Sequence, residues 1–194
     1  MIIGITGGIG TGKSTVLNVL KERYGFIIFE ADKIAKEIMK KGCLAYNRIV
    51  RHFGKDILAE SGEIDNKKMS ETVFNDKEKL KLLNDIVHPS VIEEMQNRIK
   101  EYEKEGKDRF VIEAALLIES GCNKICDMVW YIYADEETRI KRLVEGRGMN
   151  REQILKVIEN QLDTNEFKKN TDAVIDNSKS IEDTIMQVEK LLEF

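Results

Sequence analysis

The sequence predicts an α/β protein: a five-stranded parallel sheet flanked by helices. Two observations carry this expectation. Five short apolar runs, at 2–5, 26–29, 109–113, 128–133 and 173–176, are separated by segments with apolar residues at helical spacing, and strands alternating with helices build a parallel, doubly wound sheet. In addition, the long stretch between the second and third runs carries no convincing strand, which predicts a helical insertion in that sheet. At 194 residues the chain suits one α/β domain with an insertion, or two small ones.

The first run leads into Gly7-Gly8-Ile9-Gly10-Thr11-Gly12-Lys13-Ser14-Thr15, in which Gly7, Gly12, Lys13 and Ser14 match G-x-x-x-x-G-K-[ST], the phosphate-binding P-loop. Small residues let a turn fold back so that successive backbone N–H groups point at one anion. Lys13 adds a compact charge for the β- and γ-phosphates, and the Ser14 hydroxyl can ligate Mg²⁺. The following helix, expected over 14–24 with Val16, Leu17, Leu20 and Tyr24 inward, contributes the positive end of its dipole. The dinucleotide fingerprint G-x-G-x-x-G does not fit, because Gly8 and Gly10 are followed by Lys13 where its third glycine belongs. The motif predicts binding of a nucleoside triphosphate.

Gly25 ends that helix, and the second strand runs directly into Glu30-Ala31-Asp32. Ligands of open α/β sheets bind at the carboxyl ends of strands, so Asp32 is a candidate to face the transferring phosphate. It also suits the N-cap of a helix over 33–41 with Ile34, Ile38 and Met39 inward. Helical spacing continues through Tyr46, Ile49, Val50 and Phe53, a glycine-marked loop spanning Gly54 and Gly62, and then Leu80, Leu83 and Val87. Pro89, the only proline, is expected to break the helix after His88 and to open a new one carrying Ile92, Met95, Ile99 and Tyr102. These residues, 32–106, read as a helical subdomain for the second substrate.

The third strand ends in Glu113, with Glu119 close behind; a hydrophobic run ending in an acid resembles the second acidic motif of P-loop proteins, which assists the Mg²⁺ shell. After the fourth strand, Asp135 starts a helix with Ile140 and Leu143 inward, and the chain turns basic: Arg139, Lys141, Arg142, Arg147 and Arg151 against Glu145 alone. Gly146 and Gly148 flank Arg147. Arginines on a hinged segment near a P-loop read as a lid, here 137–166, whose guanidinium groups neutralise charge in phosphoryl transfer. Asn150 with Gln153 suggests a capping box opening a helix over 151–161, and Ser180 caps the last helix, with Ile185, Val188 and Leu192 inward. The nucleotide-binding core is then 1–31, 107–136 and 167–194.

Composition excludes several classes. Net charge is −4, with 34% charged residues, giving no electrostatic footprint for duplex nucleic acid. No apolar run approaches the roughly 18 residues of a membrane span, and the N-terminus reads as the first core strand instead of a signal peptide. Cys43, Cys122 and Cys126 are odd in number with no nearby histidine, so neither a disulfide framework nor zinc fits. The expectation is a cytoplasmic protein, a monomer or weak oligomer, with no nucleic-acid or membrane partner. A regulatory GTPase would need N-K-x-D and D-x-x-G. Asn123-Lys124-Ile125-Cys126-Asp127 places its Asp one residue late and before the fourth strand, and D-x-x-G does not occur. A small-molecule kinase fits the short sheet, the insertion and the arginine segment.

Along nearly its whole length the chain resembles the dephospho-CoA kinase family. The resemblance rests on Ile5 through Ser14, Ala31-Asp32, His88-Pro89, Leu116-Leu117-Ile118-Glu119-Ser120, the segment around Arg142, Gln161, and Val174-Ile175-Asp176-Asn177-Ser178. It implies a P-loop kinase, a transferase that moves the γ-phosphate of ATP, with magnesium, to the ribose 3′-hydroxyl of dephospho-CoA to give CoA. By this resemblance Gly8, Gly10, Thr11, Gly12, Lys13, Ser14 and Thr15 cradle the phosphates and Asn177 contacts the adenine side. Asp32 orients or deprotonates the acceptor hydroxyl. His88, Leu117 and Glu119 belong to the substrate site, and Arg142 and Arg147 close over the phosphates. The chain departs from the family pattern at Glu30, where Asp is usual, and at Ala115, where proline is usual. It departs again at Arg139, where Gln is usual, at Gly146-Arg147-Gly148, where Arg-Asp-Gly is usual, and at Val157, where an arginine is usual.

Overall fold

The computed structural model describes residues 1–161 and 164–193. Residues 162 and 163 of the expected lid, and residue 194 of the expected core, lie outside the described residues. The chain divides into two units, one formed by Met1–Ile28 and Arg109–Phe194, the other by Phe29–Asp108. No helix among the described residues is long and apolar enough to cross a membrane.

The sheet has five parallel strands, β1 (Ile2–Thr6), β2 (Ile27–Glu30), β3 (Phe110–Glu113), β4 (Met128–Tyr133) and β5 (Ala173–Asp176), in the order β2-β3-β1-β4-β5. β3 therefore lies between β1 and β2, so the strand that precedes Asp32 is separated from the phosphate-loop strand by one strand. β1 is paired on both sides, with Ile5 level with Glu113 of β3 and Thr6 level with Tyr131 of β4.

The first unit is built on the two faces of this sheet. Ile3 and Ile5 point to one face, where they meet Val16 and Leu20 of α1 (Lys13–Tyr24), Val188 of α9 (Ile181–Leu192), and Trp130 and Ile132 of β4. Every one of these side chains is fully buried, and burial of each contributes about 1.5–3 kcal/mol. On the opposite face Gly4 leaves room for its neighbours. A Cβ there would meet Cys126 Sγ and Leu117 Cδ2 at 2.9 Å each. The cysteines are all free thiols. Burial pushes the Cys126 thiol up to about 12, with smaller contributions from Cys122 and Asp127. Helix α8 (Thr164–Lys169) covers the far end of this face, its Phe167 ring stacked on Tyr131 at 4.6 Å.

Caps follow the sequence closely. Gly25 ends α1 in the left-handed conformation at φ 70°. Ser180 and Asp183 form a reciprocal capping box on α9. Asn150 accepts from Gln153 N at 2.8 Å to start α7 (Arg151–Glu159), which is two residues shorter than expected.

The second unit is helical: α2 (Ala31–Ile38), α3 (Leu44–Phe53), α4 (Asn66–Phe74) and α5 (Lys77–Lys104). Its core joins Ile49, Ile57, Met69, Val73 and Ile86. Two sequence expectations fail here. Helix α2 begins at Ala31 with Glu30 at the N-cap position, so Asp32 falls in the first turn and does not cap it. The carboxylate is still favoured there by the helix dipole. Helix α5, 28 residues long, runs through Pro89 without a break. An interior proline costs about 3 kcal/mol. The buried face Ile86, Val91, Met95 and Ile99 continues on both sides of it, and burial at roughly 1.5–3 kcal/mol per side chain outweighs that cost. Ser90 follows the same face and donates to Ile86 O at 2.8 Å.

Candidate functional site

The phosphate loop spans the turn between β1 and α1. Gly10 and Gly12 adopt left-handed conformations, at φ 77° and 83°, which side-chain-bearing residues rarely take. Gly7 is held differently: a Cβ on it would lie 2.6 Å from Ile132 O. Thr11 is fully buried, and its hydroxyl donates to Gly8 O at 3.0 Å, tying the loop across its own turn. Lys13, Ser14 and Thr15 form the first turn of α1, where Thr15 N donates to Gly12 O at 2.9 Å. The positive end of a helix dipole favours an anion there.

Lys13 curls back over the loop. Its Nζ donates to Gly7 O at 2.8 Å and lies 3.9 Å from Glu113 Oε1, with both side chains mostly buried. The sequence left Glu113 and Glu119 as alternatives near the phosphates. The structure brings Glu113 to Lys13, whereas Glu119 is exposed in the turn that follows β3. Leu117 is fully buried against Gly4, and its neighbour Leu116 is the exposed member of the pair.

Asn177, immediately after β5, is 2% exposed. Its Nδ2 donates to Thr11 O at 2.8 Å and approaches Gly12 O at 3.4 Å, while Oδ1 accepts from the Thr184 hydroxyl at 2.8 Å. The side chain is thus occupied as a strut under the loop. Arg142, on α6 (Glu136–Arg147), joins the same group: Nη2 donates to Asn177 O at 2.8 Å and Nη1 to Thr11 O at 3.3 Å. A Cβ on Gly12 would collide with Asn177 Nδ2 and come within 3.2 Å of Arg142 Nη1.

Arg147 stands apart from this group. It is exposed in the last turn of α6, which Gly148 closes at φ 62°. Arg139, one turn before Arg142, reaches the front of the loop instead. Its Nε donates to Ile9 O and its Nη2 to Gln161 Oε1, both at 2.8 Å, and Ile9 N donates to the same Gln161 oxygen at 3.1 Å. The sequence read Arg139 as part of a basic run. Its i, i+3 spacing to Arg142, which puts both guanidinium groups on one helix face, was the available signal. Thr184 carried none, since its role depends on where α9 docks.

Two further candidates lie in the second unit. Asp32 is exposed in the first turn of α2, just after Glu30, whose carboxylate pairs with Lys33 at 2.6 Å. His88 is half-buried on α5.

Among the described residues no group of three or more His, Cys, Asp or Glu is arranged to hold a metal ion. The donors near Lys13 are the Ser14 hydroxyl and the Glu113 carboxylate. Such a sparse oxygen set fits Mg²⁺, which keeps several waters and binds through one or two protein oxygens plus substrate phosphates.

With the geometry described, the comparisons with known proteins are decisive for the family. Residues 1–183 match the family model of dephospho-CoA kinase. A dephospho-CoA kinase from Carboxydothermus hydrogenoformans is 43% identical over 192 residues, which cover 99% of this chain and 93% of that protein. The solved structure of dephospho-CoA kinase from Campylobacter jejuni has a TM-score of 0.69 at 30% identity, covering 99% of this chain and 95% of that one. Shikimate kinase from Bacteroides thetaiotaomicron, at 13% identity and TM-score 0.56 over 100% and 99% of the two chains, is similar in fold alone. The chain belongs to the dephospho-CoA kinase family, an ATP-dependent kinase family.

Proposed function

We propose that this chain transfers the γ-phosphate of ATP to the ribose 3′-hydroxyl of dephospho-CoA, with the phosphates held by the loop of Gly8, Gly10, Thr11, Gly12, Lys13, Ser14 and Thr15. The observation that carries this reading is the Lys13 ammonium, held over the loop between Gly7 O and Glu113. Both partners are weak competitors for a polyphosphate of several negative charges, so Lys13 is poised to turn onto the β- and γ-phosphates. Ser14 and Glu113 would hold Mg²⁺ with the nucleotide, Glu113 directly or through water, and the ion supplies further neutralisation of phosphate charge.

Asp32 takes the acceptor side. An ionised carboxylate is a weak base toward an alcohol. In a loose transition state the nucleophile loses its proton late, so Asp32 serves chiefly by orienting the hydroxyl in line with the phosphorus. His88, Leu117 and Glu119 complete the substrate side. Leu117 acts there through packing, since it is fully buried. Arg142 already touches the loop, and Arg147, exposed on the same helix, is free to close over the phosphates. Asn177 serves the adenine side by holding the loop at Thr11 and Gly12.

The test is ADP release with Mg-ATP across a panel of acceptors: dephospho-CoA, nucleoside monophosphates and shikimate. Dephospho-CoA is expected to exceed every other acceptor in kcat/KM by at least about 10³-fold, the discrimination available to a site that hydrogen-bonds its substrate. Equal turnover of a nucleoside monophosphate would move the chain's substrate elsewhere.

A further inference from the structure

The front limb of the phosphate loop is gripped from three directions at a single residue. The N–H of Ile9 donates to Gln161 Oε1, and its carbonyl accepts from Arg139 Nε. The grip closes on itself, because Arg139 Nη2 also donates to Gln161 Oε1. The Ile9 side chain meanwhile packs on the small apolar cluster of Ile140, Leu143 and Ile154, which joins α6 to α7.

Gly8 supplies an independent observation. Its φ is not in the left-handed region, so its backbone does not require glycine. The space over it is tight: a Cβ there would lie 2.5 Å from Arg139 Nη2 and 2.6 Å from Gln161 Oε1. A side chain at this position would push both groups out of the places they hold over the loop. Both groups come from the segment 137–161, outside the motif itself.

We propose that Arg139 and Gln161 are positioning residues that latch the Ile9 peptide, so that the phosphate loop is held in shape before nucleotide binds. Neither residue need touch phosphate. The latch bonds are made to the Ile9 peptide, ahead of the first turn of α1. A loop already ordered loses less conformational freedom on binding, so the latch strengthens ATP affinity. Burial draws the Arg139 guanidinium below its ordinary range, yet it remains a cation, as arginine does in proteins, and its carbonyl and amide acceptors are those a half-buried guanidinium requires. The inference rests on the reading that this loop holds ATP, but not on the identity of the acceptor.

Arg139→Met and Gln161→Leu, singly and together, test it on the whole chain. ATP affinity is measured by calorimetry without acceptor, exchange of the Ile9 amide by NMR, and kcat and KM with dephospho-CoA. Each single substitution is expected to weaken ATP binding about tenfold, the effect of losing one charge-assisted or buried hydrogen bond. KM for dephospho-CoA is expected to stay within about twofold, because the latch contacts the loop alone. The pair should cost little more than the worse single change, since both residues hold one peptide. The Ile9 amide should exchange faster in Gln161→Leu.

Gly8→Ala gives a second route that does not depend on removing a polar group from the folded chain. It should weaken ATP binding in the native background and cost much less in a chain carrying Arg139→Ala and Gln161→Ala. Unchanged or tighter ATP binding in the single variants would overturn the latch. So would multiplicative losses in the pair, or an equal cost of Gly8→Ala in both backgrounds. Failure of the acceptor assay with normal ATP binding would leave the latch standing and remove only the substrate assignment.

Discussion

Replacing Lys13 with methionine is expected to lower kcat by about 10²–10³-fold, the loss found when one preorganised donor to developing charge is removed. Methionine keeps the length and apolar body of the side chain, so packing over the loop survives. What disappears is the ammonium that lies 2.8 Å from Gly7 O and 3.9 Å from Glu113. Two consequences follow and they separate. The transferring phosphate loses its nearest fixed charge, which appears in kcat. The Glu113 carboxylate, only 16% exposed, also loses its cationic neighbour and repels the incoming polyphosphate, which appears in ATP affinity. Lys13→Met combined with Glu113→Gln should therefore recover part of the affinity for ATP measured without Mg²⁺ and none of the turnover. Steady-state ADP release beside calorimetric ATP binding reads both. A kcat within about threefold of the native value would deny Lys13 its part in the transition state.

Asp32→Asn should lower kcat by about 10²–10⁴-fold while leaving ATP affinity unchanged, the range for a group that positions or accepts a transferred proton. Asparagine preserves shape and one acceptor oxygen but turns an amide donor toward the acceptor hydroxyl half of the time. Its exposure in the first turn of α2 means the substitution removes no buried partner, so the melting temperature should stay within a few degrees. Glu30 is the competing carboxylate. It is held by Lys33 at 2.6 Å, and Glu30→Gln is expected to be far milder. Single-turnover measurements with both variants decide between them. If Glu30→Gln is the damaging change, the acceptor-orienting role belongs to Glu30.

The sheet was legible because its signals are local. Each of the five strands is a short apolar run bounded by a turn residue, and the alternation with helical spacing is visible without any long-range information. The phosphate loop was legible for the same reason. Its glycines answer to backbone conformation at Gly10 and Gly12, which is a property of the segment itself. What escaped the sequence depended on distant partners. Pro89 carries a strong local signal for a helix break, yet a buried face running from Ile86 to Ile99 overrides it. Of Leu116 and Leu117, pattern alone cannot tell which faces out; the second is buried because Gly4 leaves a space for it. The hydrogen bonds of the Asn177 amide to the loop carbonyls and to Thr184 had no signal in the sequence. Arg139 looked like one charge in a basic run and turned out to be bound to Ile9. Each of these depends on where a second element docks, information that no window of the chain contains.

The position of the new phosphate in the product tests the substrate assignment most directly. Native protein incubated with Mg-ATP and dephospho-CoA should yield one phosphorylated product. Its added phosphorus should couple, in two-dimensional phosphorus–proton NMR, to the ribose 3′ proton, and a 3′-specific phosphatase should return it to dephospho-CoA. Phosphorus on the 2′ oxygen, at the pantetheine end, or no transfer to dephospho-CoA while another acceptor is consumed, would contradict it.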